Sequence, residues 1–393
     1  MNKASAGKRG PKVRSDCYIE IEKKNRGGIK IDLTSKVEIM YGESIKKTIL
    51  EMCDFFGIKH LNVLIEDAGA LPMTLQARFE LAVKRLYPEI EKEFLPPFNE
   101  ANKYGAKKDR LRRSRLYLPG NEPKFYPNAG LHNPDGIILD LEDSVAPAEK
   151  DAAQLIVRNA LRSINFYGSE RMVRINQLPR GLDDLKYIVP HNVHVILIPK
   201  CESADDVKKV EEEVKRLKKE NSVKREIYFM PIIESALGIV KAYEIASASE
   251  NNCALAIGLE DYTADIGTKR TNEGTESFVA RSQLVVAAKA AGIQAIDTVF
   301  SDVNDMDGLR QSVIEAKSLG FEGKGCIHPR QIKVVHEAFA PTEAEIEKAE
   351  KIVAAFKEAK KKGLGVVSIG SKMIDAPVVK RAEKVLELVK LLG

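Results

Sequence analysis

At 393 residues the chain exceeds one ordinary domain and predicts two, one of them large. Hydrophobic residues at 44% and charged residues at 30% are those of a folded soluble protein, and no stretch runs long enough without charge to span a bilayer, which excludes a membrane protein. A net charge of +5 with 6% aromatic residues and no tryptophan argues against a nucleic-acid binder, which concentrates charge and stacking rings in one module, and suits an anionic small molecule.

The leader MNKASAGKRG is basic but opens no apolar run with a cleavage site, so the expected compartment is the cytoplasm. Cys17, Cys53, Cys201, Cys253 and Cys326 show no C-x-x-C spacing and read as reduced, buried thiols. The alternating segments Cys17 to Glu22 and Ile29 to Leu33 flank Gly27-Gly28 and predict a β-hairpin. Ser44 is the expected cap of a helix that buries Ile45, Ile49, Met52, Cys53 and Phe56, with Gly57 as its stop. A strand over Leu61 to Ile65 and a helix burying Leu75, Phe79, Ala82, Val83 and Leu86 complete a small α/β domain over residues 1–95. Pro96-Pro97 and a basic run make 96–113 a linker.

From Ser114 eight strand-like runs recur between amphipathic stretches: SRLYL, DGIILDL, RMVRIN, VHVILIP, IYFMPII, CALAIG, IQAIDTV and EGKGCI. This alternation predicts a (β/α)8 TIM barrel over 114–340, followed by a C-terminal helical segment, 341–393. An open doubly wound sheet is the rival. Polar residues cluster at the ends of the runs, where a barrel gathers them on one face, and no G-x-G-x-x-G opens a helix.

Among those residues, Glu234 in PIIES and Asp261 in GLEDY form an oxygen-rich pair suited to Mg²⁺ or Mn²⁺, or else each caps a helix. Arg174 in MVRIN offers a fixed cation to a substrate carboxylate or enolate, or pairs structurally with Asp140 or Glu142. Asp140, Glu142 and Asp143 share one strand end. His328 before Pro329 is an acid/base candidate or a turn residue. The run Arg112-Arg113-Ser114-Arg115 clamps phosphates of a coenzyme A-like arm or is a solvated linker end.

With these motifs in view, Ser114 to Leu392 resembles the citrate lyase β subunit within the HpcH/HpaI aldolase family, which also holds malyl- and citramalyl-coenzyme A lyases. RRSRLYLPGN, IILDLEDSV, VRIN, IIES, GLEDY, EGTE, AGIQAIDTVFSD, LGFEGKGCIHPRQI and GLGVVSIGSKMIDAPVV carry the resemblance, in order. It implies a carbon–carbon lyase with Glu234 and Asp261 as Mg²⁺ ligands and Arg174 as the substrate and enolate contact. Glu142 and Asp143 become supporting groups, and Asp375 an acid/base residue delivered by a neighbouring subunit. A homo-oligomer, a trimer or hexamer, follows from that delivery.

Residues Ala6 to Leu86 resemble the citrate lyase γ subunit, an acyl carrier protein, through GESIKKTIL, EDAGALP and LQARFELA. Such a carrier holds a phosphoribosyl-dephospho-coenzyme A arm on a serine, but here Arg14 stands at the usual position and Ser15 follows it. The resemblance therefore implies either an arm moved to Ser15 or a barrel acting on free coenzyme A thioesters. The expected reaction is citryl carrier protein to oxaloacetate and acetyl carrier protein, with an α subunit as acyl transferase partner. Cleavage of malyl- or citramalyl-coenzyme A is the alternative, and a non-catalytic carrier or assembly scaffold the reading from another class.

Overall fold

The computed structural model describes residues 2–361, 367–369 and 372–392. In the N-terminal domain Cys17, Ile19 and Ile21 are fully buried and alternate with half-exposed Tyr18, Glu20 and Glu22, so a strand forms there with one face on a core. Four strands, β1 (Lys3–Gly7), β2 (Cys17–Lys23), β3 (Ile29–Ser35) and β4 (Leu61–Asp67), make a sheet of order β1-β2-β4-β3. The expected hairpin is therefore corrected. β2 pairs with β1 and β4, while β3 joins β4 in parallel through α1 (Glu38–Phe56). That helix starts six residues before Ser44, which lies inside it, and Gly57 ends it at φ +75° as the sequence predicts. The second helix, α2 (Pro72–Leu86), begins at a proline in its first turn and buries eleven residues between sheet and barrel.

The large domain is a closed barrel of eight parallel strands in consecutive order: β5 (Ser114–Pro119), β6 (Gly136–Asp140), β7 (Glu170–Arg174), β8 (Val195–Ile198), β9 (Tyr228–Ile233), β10 (Ala254–Ile257), β11 (Gln294–Asp297) and β12 (Gly323–Cys326). Each falls on one of the eight runs read from the sequence. Around it lie α3 (Lys150–Ser163), α4 (Gly181–Asp184), α5 (Ala204–Glu220), α6 (Ala236–Val240), α7 (Ala242–Ala246), α8 (Leu259–Asp265), α9 (Phe278–Ala290), α10 (Met306–Leu319) and α11 (Arg330–Phe339). Buried on both sides, β8 and β10 are wholly apolar, and Ile138, Met172, Leu197, Met230 and Ile296 fill the barrel interior while Leu, Ile and Val on the outer faces pack against the helices.

The two domains are locked by charge as well as by apolar packing. Arg158 of α3 forks onto Glu80 of α2 at 2.7 and 2.9 Å with both side chains fully buried, and Arg85 pairs with Asp151 at 2.8 Å. Residues 96–113 are pinned rather than free: the Asn99 N–H donates to Arg162 O at 2.7 Å, Asn102 bonds Ile164 O, and Tyr104 Oη reaches Ser169 O at 2.8 Å. The C-terminal segment has its own small core of Ala349, Ile352, Val353, Ile374, Val379 and Ala382, where α12 (Glu343–Lys361) meets α13 (Ala376–Leu392) beside the ribbon of β13 (Val367–Ile369) and β14 (Lys372–Ile374). Within the motif GLGVVSIGSKMIDAPVV, residues 363–366, 370 and 371 lie outside the described residues. Among the described residues no helix is long and apolar enough to cross a membrane.

Candidate active site

Parallel strands bring their C-terminal ends to one face, so Asp140, Arg174, Glu234 and Asp297 meet at one mouth. Beneath it opens a cavity of about 480 Å³ lined by Arg115, Tyr117, Asp140, Arg174, Glu234 and Asp261, among others. The sequence-predicted Glu142 lies beside this group and Asp143 is in the lining.

Arg174 is bound on all sides. Its Nε and Nη2 donate to the two oxygens of buried Asp140 at 2.7 Å each, and its Nη1 lies 2.8 Å from Glu142 Oε2 and 3.3 Å from Asp143 Oδ2. Burial disfavours its charge, but the Asp140 hydrogen bonds and the surrounding carboxylates outweigh that, so the guanidinium stays protonated. The structural ion pair that the sequence left open is therefore present, and it commits Arg174 to its own strand neighbours.

Glu142 is 4% exposed, and neither carboxylate oxygen has an aligned hydrogen bond despite the nearby guanidinium. Burial, with Asp143 and Glu234 close by, pushes its carboxyl up to about 8. Glu234 is 6% exposed and accepts the Lys200 backbone N–H at 2.8 Å; burial pushes it up to about 7. The carboxylate of Glu234 is fitted against Gly258, where a Cβ would stand 2.4 Å from Oε1. Asp261 is half exposed in the first turn of α8, with no helix-capping bond from its side chain.

Two lysines complete the cluster, and the sequence reading gave neither a role. Lys200 follows β8 at φ +46°, a left-handed conformation that is unfavourable by about 1 kcal/mol for a residue with a Cβ. Its ammonium lies 3.6 Å from Asp261, 3.7 Å from Glu142 and 3.8 Å from Asp143. Lys150, buried in the first turn of α3, donates to the carbonyls of Leu141 and Glu142 at 2.7 Å each and so fixes the acidic loop. Lys200 was detectable as the polar residue closing its strand run. Lys150 carried no signal beyond a helix start.

Among the described residues no three His, Cys, Asp or Glu side chains form a ready-made ligand cage. The donor chemistry nonetheless fits a hard dication: buried carboxylate oxygens without partners, two carboxyls held against ionisation by burial and mutual repulsion, and a lysine ammonium occupying the centre of the acidic cluster as a counter-charge. Mg²⁺ in particular takes few carboxylates and keeps several waters, so two protein ligands suffice.

The other candidates fall elsewhere. His328 is a turn residue whose Nδ1 accepts the Arg330 N–H at 3.2 Å. Neither reading of the arginine run holds. Arg112 is buried at the opposite end of the barrel on Glu170, Arg113 pairs with Asp135 at 2.9 Å, and Arg115 points into the barrel interior. Asp375 is half buried, accepts the Val378 N–H at 3.2 Å at the start of α13, and is absent from the cavity lining. Ser15 is half buried at φ +53°, beside Asp16, while Arg14 is exposed.

Residues 113–329 match the HpcH/HpaI aldolase/citrate lyase family, and residues 5–86 match a family described as malonate decarboxylase delta subunit (MdcD). The citrate lyase subunit beta of Leuconostoc mesenteroides subsp. cremoris is 43% identical over 283 residues, 71% of this chain and 94% of that protein. The mitochondrial citramalyl-CoA lyase of Mus musculus is 34% identical over 289 residues, 70% of this chain and 86% of its own length. Among solved structures, the CitE protein of Mycobacterium tuberculosis in complex with magnesium, acetoacetate and coenzyme A superposes with a TM-score of 0.61 at 29% identity, covering 72% of this chain and 100% of that one. A closed barrel with an acidic mouth and these matches along most of its length make the chain a carbon–carbon lyase that belongs to the HpcH/HpaI aldolase/citrate lyase family.

Proposed function

We infer that the protein cleaves a 2-hydroxy acyl thioester, citryl to oxaloacetate and an acetyl thioester, with Mg²⁺ held by Glu234 and Asp261. The observation that carries this is the imbalance at the mouth, where the five carboxyl groups of Asp140, Glu142, Asp143, Glu234 and Asp261 meet Arg174 and Lys200 as their ion-pair partners, and Glu142 has no aligned hydrogen bond. The beta-subunit relatives and the magnesium in the CitE complex support the same reading.

When bound, Mg²⁺ supplies Lewis acidity that lowers the pKa of the substrate's hydroxyl group. Glu234 is the buried ligand, fixed by the Lys200 N–H, and Asp261 the exposed one on the rim. As the hydroxyl proton leaves, the C–C bond electrons pass to the thioester as an enolate, whose charge Arg174 offsets through space from its fixed place on Asp140, and a proton returned to the enolate carbon completes the acetyl thioester. Asp375 of a neighbouring copy is the group proposed to move the proton, in a trimer or hexamer. Lys150 holds the Glu142 backbone and Arg174 lies against the Glu142 and Asp143 side chains, which fixes the acidic loop beside the place where the cation belongs.

The N-terminal domain is proposed to carry the acyl group on Ser15, with a separate α subunit as transferase, in the cytoplasm. Asp16 is tied to Arg78 at 2.7 Å, and Arg78 reaches Glu149 of the barrel loop after β6 at 3.7 Å, so the Ser15 turn faces the catalytic end of the barrel and would raise the local concentration of a tethered acyl group. The second reading, a citramalyl- or malyl-coenzyme A lyase using free thioesters, is favoured by exposed Arg14 at the usual attachment position. The deciding measurement pairs oxaloacetate and pyruvate release from citryl- and citramalyl-coenzyme A, each with and without Mg²⁺, with the intact mass of protein from its native host. Oxaloacetate release and a heavy adduct within Val13 to Cys17 are expected. Mg²⁺-dependent pyruvate release from an unmodified chain would establish the second reading instead.

A further inference from the structure

Two arginines near the start of the barrel's first strand have opposite surroundings. Arg112 has all five guanidinium hydrogens engaged: Nε and Nη2 on Glu170 at 2.7 and 2.9 Å, Nη2 also on Lys107 O, and Nη1 on Lys108 O and Gln294 Oε1. Arg115, three residues on and 2% exposed, has no carboxylate within 4.0 Å among the described residues. Its Nη1 donates to the Met230 thioether at 3.0 Å, its Nη2 reaches Asp297 O only at 3.5 Å, and its buried Nε has no partner. A guanidinium cannot shed its proton to relieve such burial.

Its register neighbours are glycines, Gly136 of β6 and Gly325 of β12, where a Cβ would meet Met172 at 2.7 Å and Val299 at 2.6 Å. Because Arg115 belongs to the start of β5 while its head group reaches Asp297 at the end of β11, the charge is carried upward under the mouth. It lines the same cavity as Arg174 and Glu234. Of the two arginines in that lining, Arg174 is already surrounded by three carboxylates, so Arg115 is the one with donors to give.

We propose that Arg115 is a substrate-binding residue that receives a carboxylate of the hydroxy acid, the one left over when the hydroxyl and its adjacent carboxylate are taken at the Glu234 and Asp261 site. A citryl group carries that extra carboxylate on a methylene arm, where a citramalyl group has only a methyl. Arg115 thus selects a dicarboxylate keto acid as the cleavage product. The proposal rests on the thioester lyase reading above and deepens it.

The test is ligand binding, followed by thermal shift and calorimetry on the full chain with Mg²⁺ and either oxaloacetate or pyruvate. In the native protein both keto acids are expected to bind, oxaloacetate more tightly. Arg115→Met is expected to melt no lower than the native protein when ligand-free, since it removes an uncompensated buried charge, to keep pyruvate binding, and to weaken oxaloacetate by about 10- to 100-fold, as loss of a charged hydrogen-bonded pair predicts. Arg115→Lys, which keeps the charge with fewer donors, should fall between. Equal oxaloacetate affinity in the Met variant overturns the proposal, and so does a large drop in ligand-free stability with both ligands weakened alike, which would make Arg115 structural. If neither keto acid binds the native protein with Mg²⁺, the lyase reading itself fails and the proposal falls with it.

Discussion

The two ends of the barrel handle buried charge in opposite ways. At the end where the strands begin, most cations rest on fixed partners: Arg112 on Glu170, Arg113 on Asp135, and Arg171 on the Asn192 and Tyr104 carbonyls, with its Nη1 left over. At the end where they finish, carboxylates outnumber cations, Glu142 has no aligned partner and Glu234 resists ionisation. Paired buried charge holds a fold together; unmatched buried charge costs stability and is retained where a ligand completes it. The contrast assigns structure to one face and chemistry to the other, and it can be broken from either side.

The largest expected effect is at the mouth. Asp261 is exposed enough that Asp261→Ala should leave unfolding unchanged within about 0.5 kcal/mol, while metal-dependent turnover falls at least about 1,000-fold, the equivalent of some 4 kcal/mol of lost charge stabilisation. Steady-state cleavage with a Mg²⁺ titration, beside a urea melt, gives both numbers. Undiminished turnover would remove Asp261 from the metal site, and a collapse in stability would move it to the structural class.

At the opposite end the signs reverse. Arg112→Ala leaves Glu170 charged and fully buried, which should reduce unfolding free energy by about 3–5 kcal/mol. Replacing both residues with methionine should recover most of that, because no lone charge remains. The folded fraction of either variant should keep its turnover per molecule. A single variant as stable as the native protein would contradict the description of this face.

How much of this was legible in the sequence follows from the same physics. All eight barrel strands could be read because parallel strands covered on both faces form continuous apolar runs, each ending in a polar residue at the mouth, as VHVILIPK does with Lys200. The barrel and the acidic residues at its mouth were therefore visible in advance. Pairing in the small domain was not. Gly27-Gly28 carries the positive φ of a turn, 104° and 73°, but β4, starting 26 residues after β3 ends and in the register of both neighbours, takes the place between β2 and β3. β1 escaped because KASAG has no apolar alternation to reveal it. Arg115 looked like the end of a basic linker, since nothing local shows that its head group ends beside Met230 and Asp297 inside the barrel. That Arg174 is fully engaged depends on Asp140, 34 residues earlier, and only the closed barrel brings the two together.

The smallest effect concerns pH, and it tests whether the structural end tolerates an added charge. His191 and His194 are buried there among arginines: burial first, then Arg158, Arg162 and Arg225, push His191 down to about 3, and burial with Arg171 lowers His194 further below its ordinary range. Their folded pKa values are depressed below the unfolded value of about 6.5, so the unfolded chain takes up the proton first as pH falls. Their contribution is fully present above pH 6.5 and is lost progressively as pH drops toward 3, at no more than about 1.4 kcal/mol per histidine for each pH unit. Melting of the native chain should decline between pH 6.5 and 5, and His191→Gln, whose amide oxygen can still accept from Arg162, should melt with a shallower slope over that window. If the variant and native slopes coincide, His191 is not a proton-excluding residue. The acid sensitivity of the barrel would then have to come from carboxylates that ion pairs hold below their ordinary range, Asp140 on Arg174 and Asp297 on Lys324.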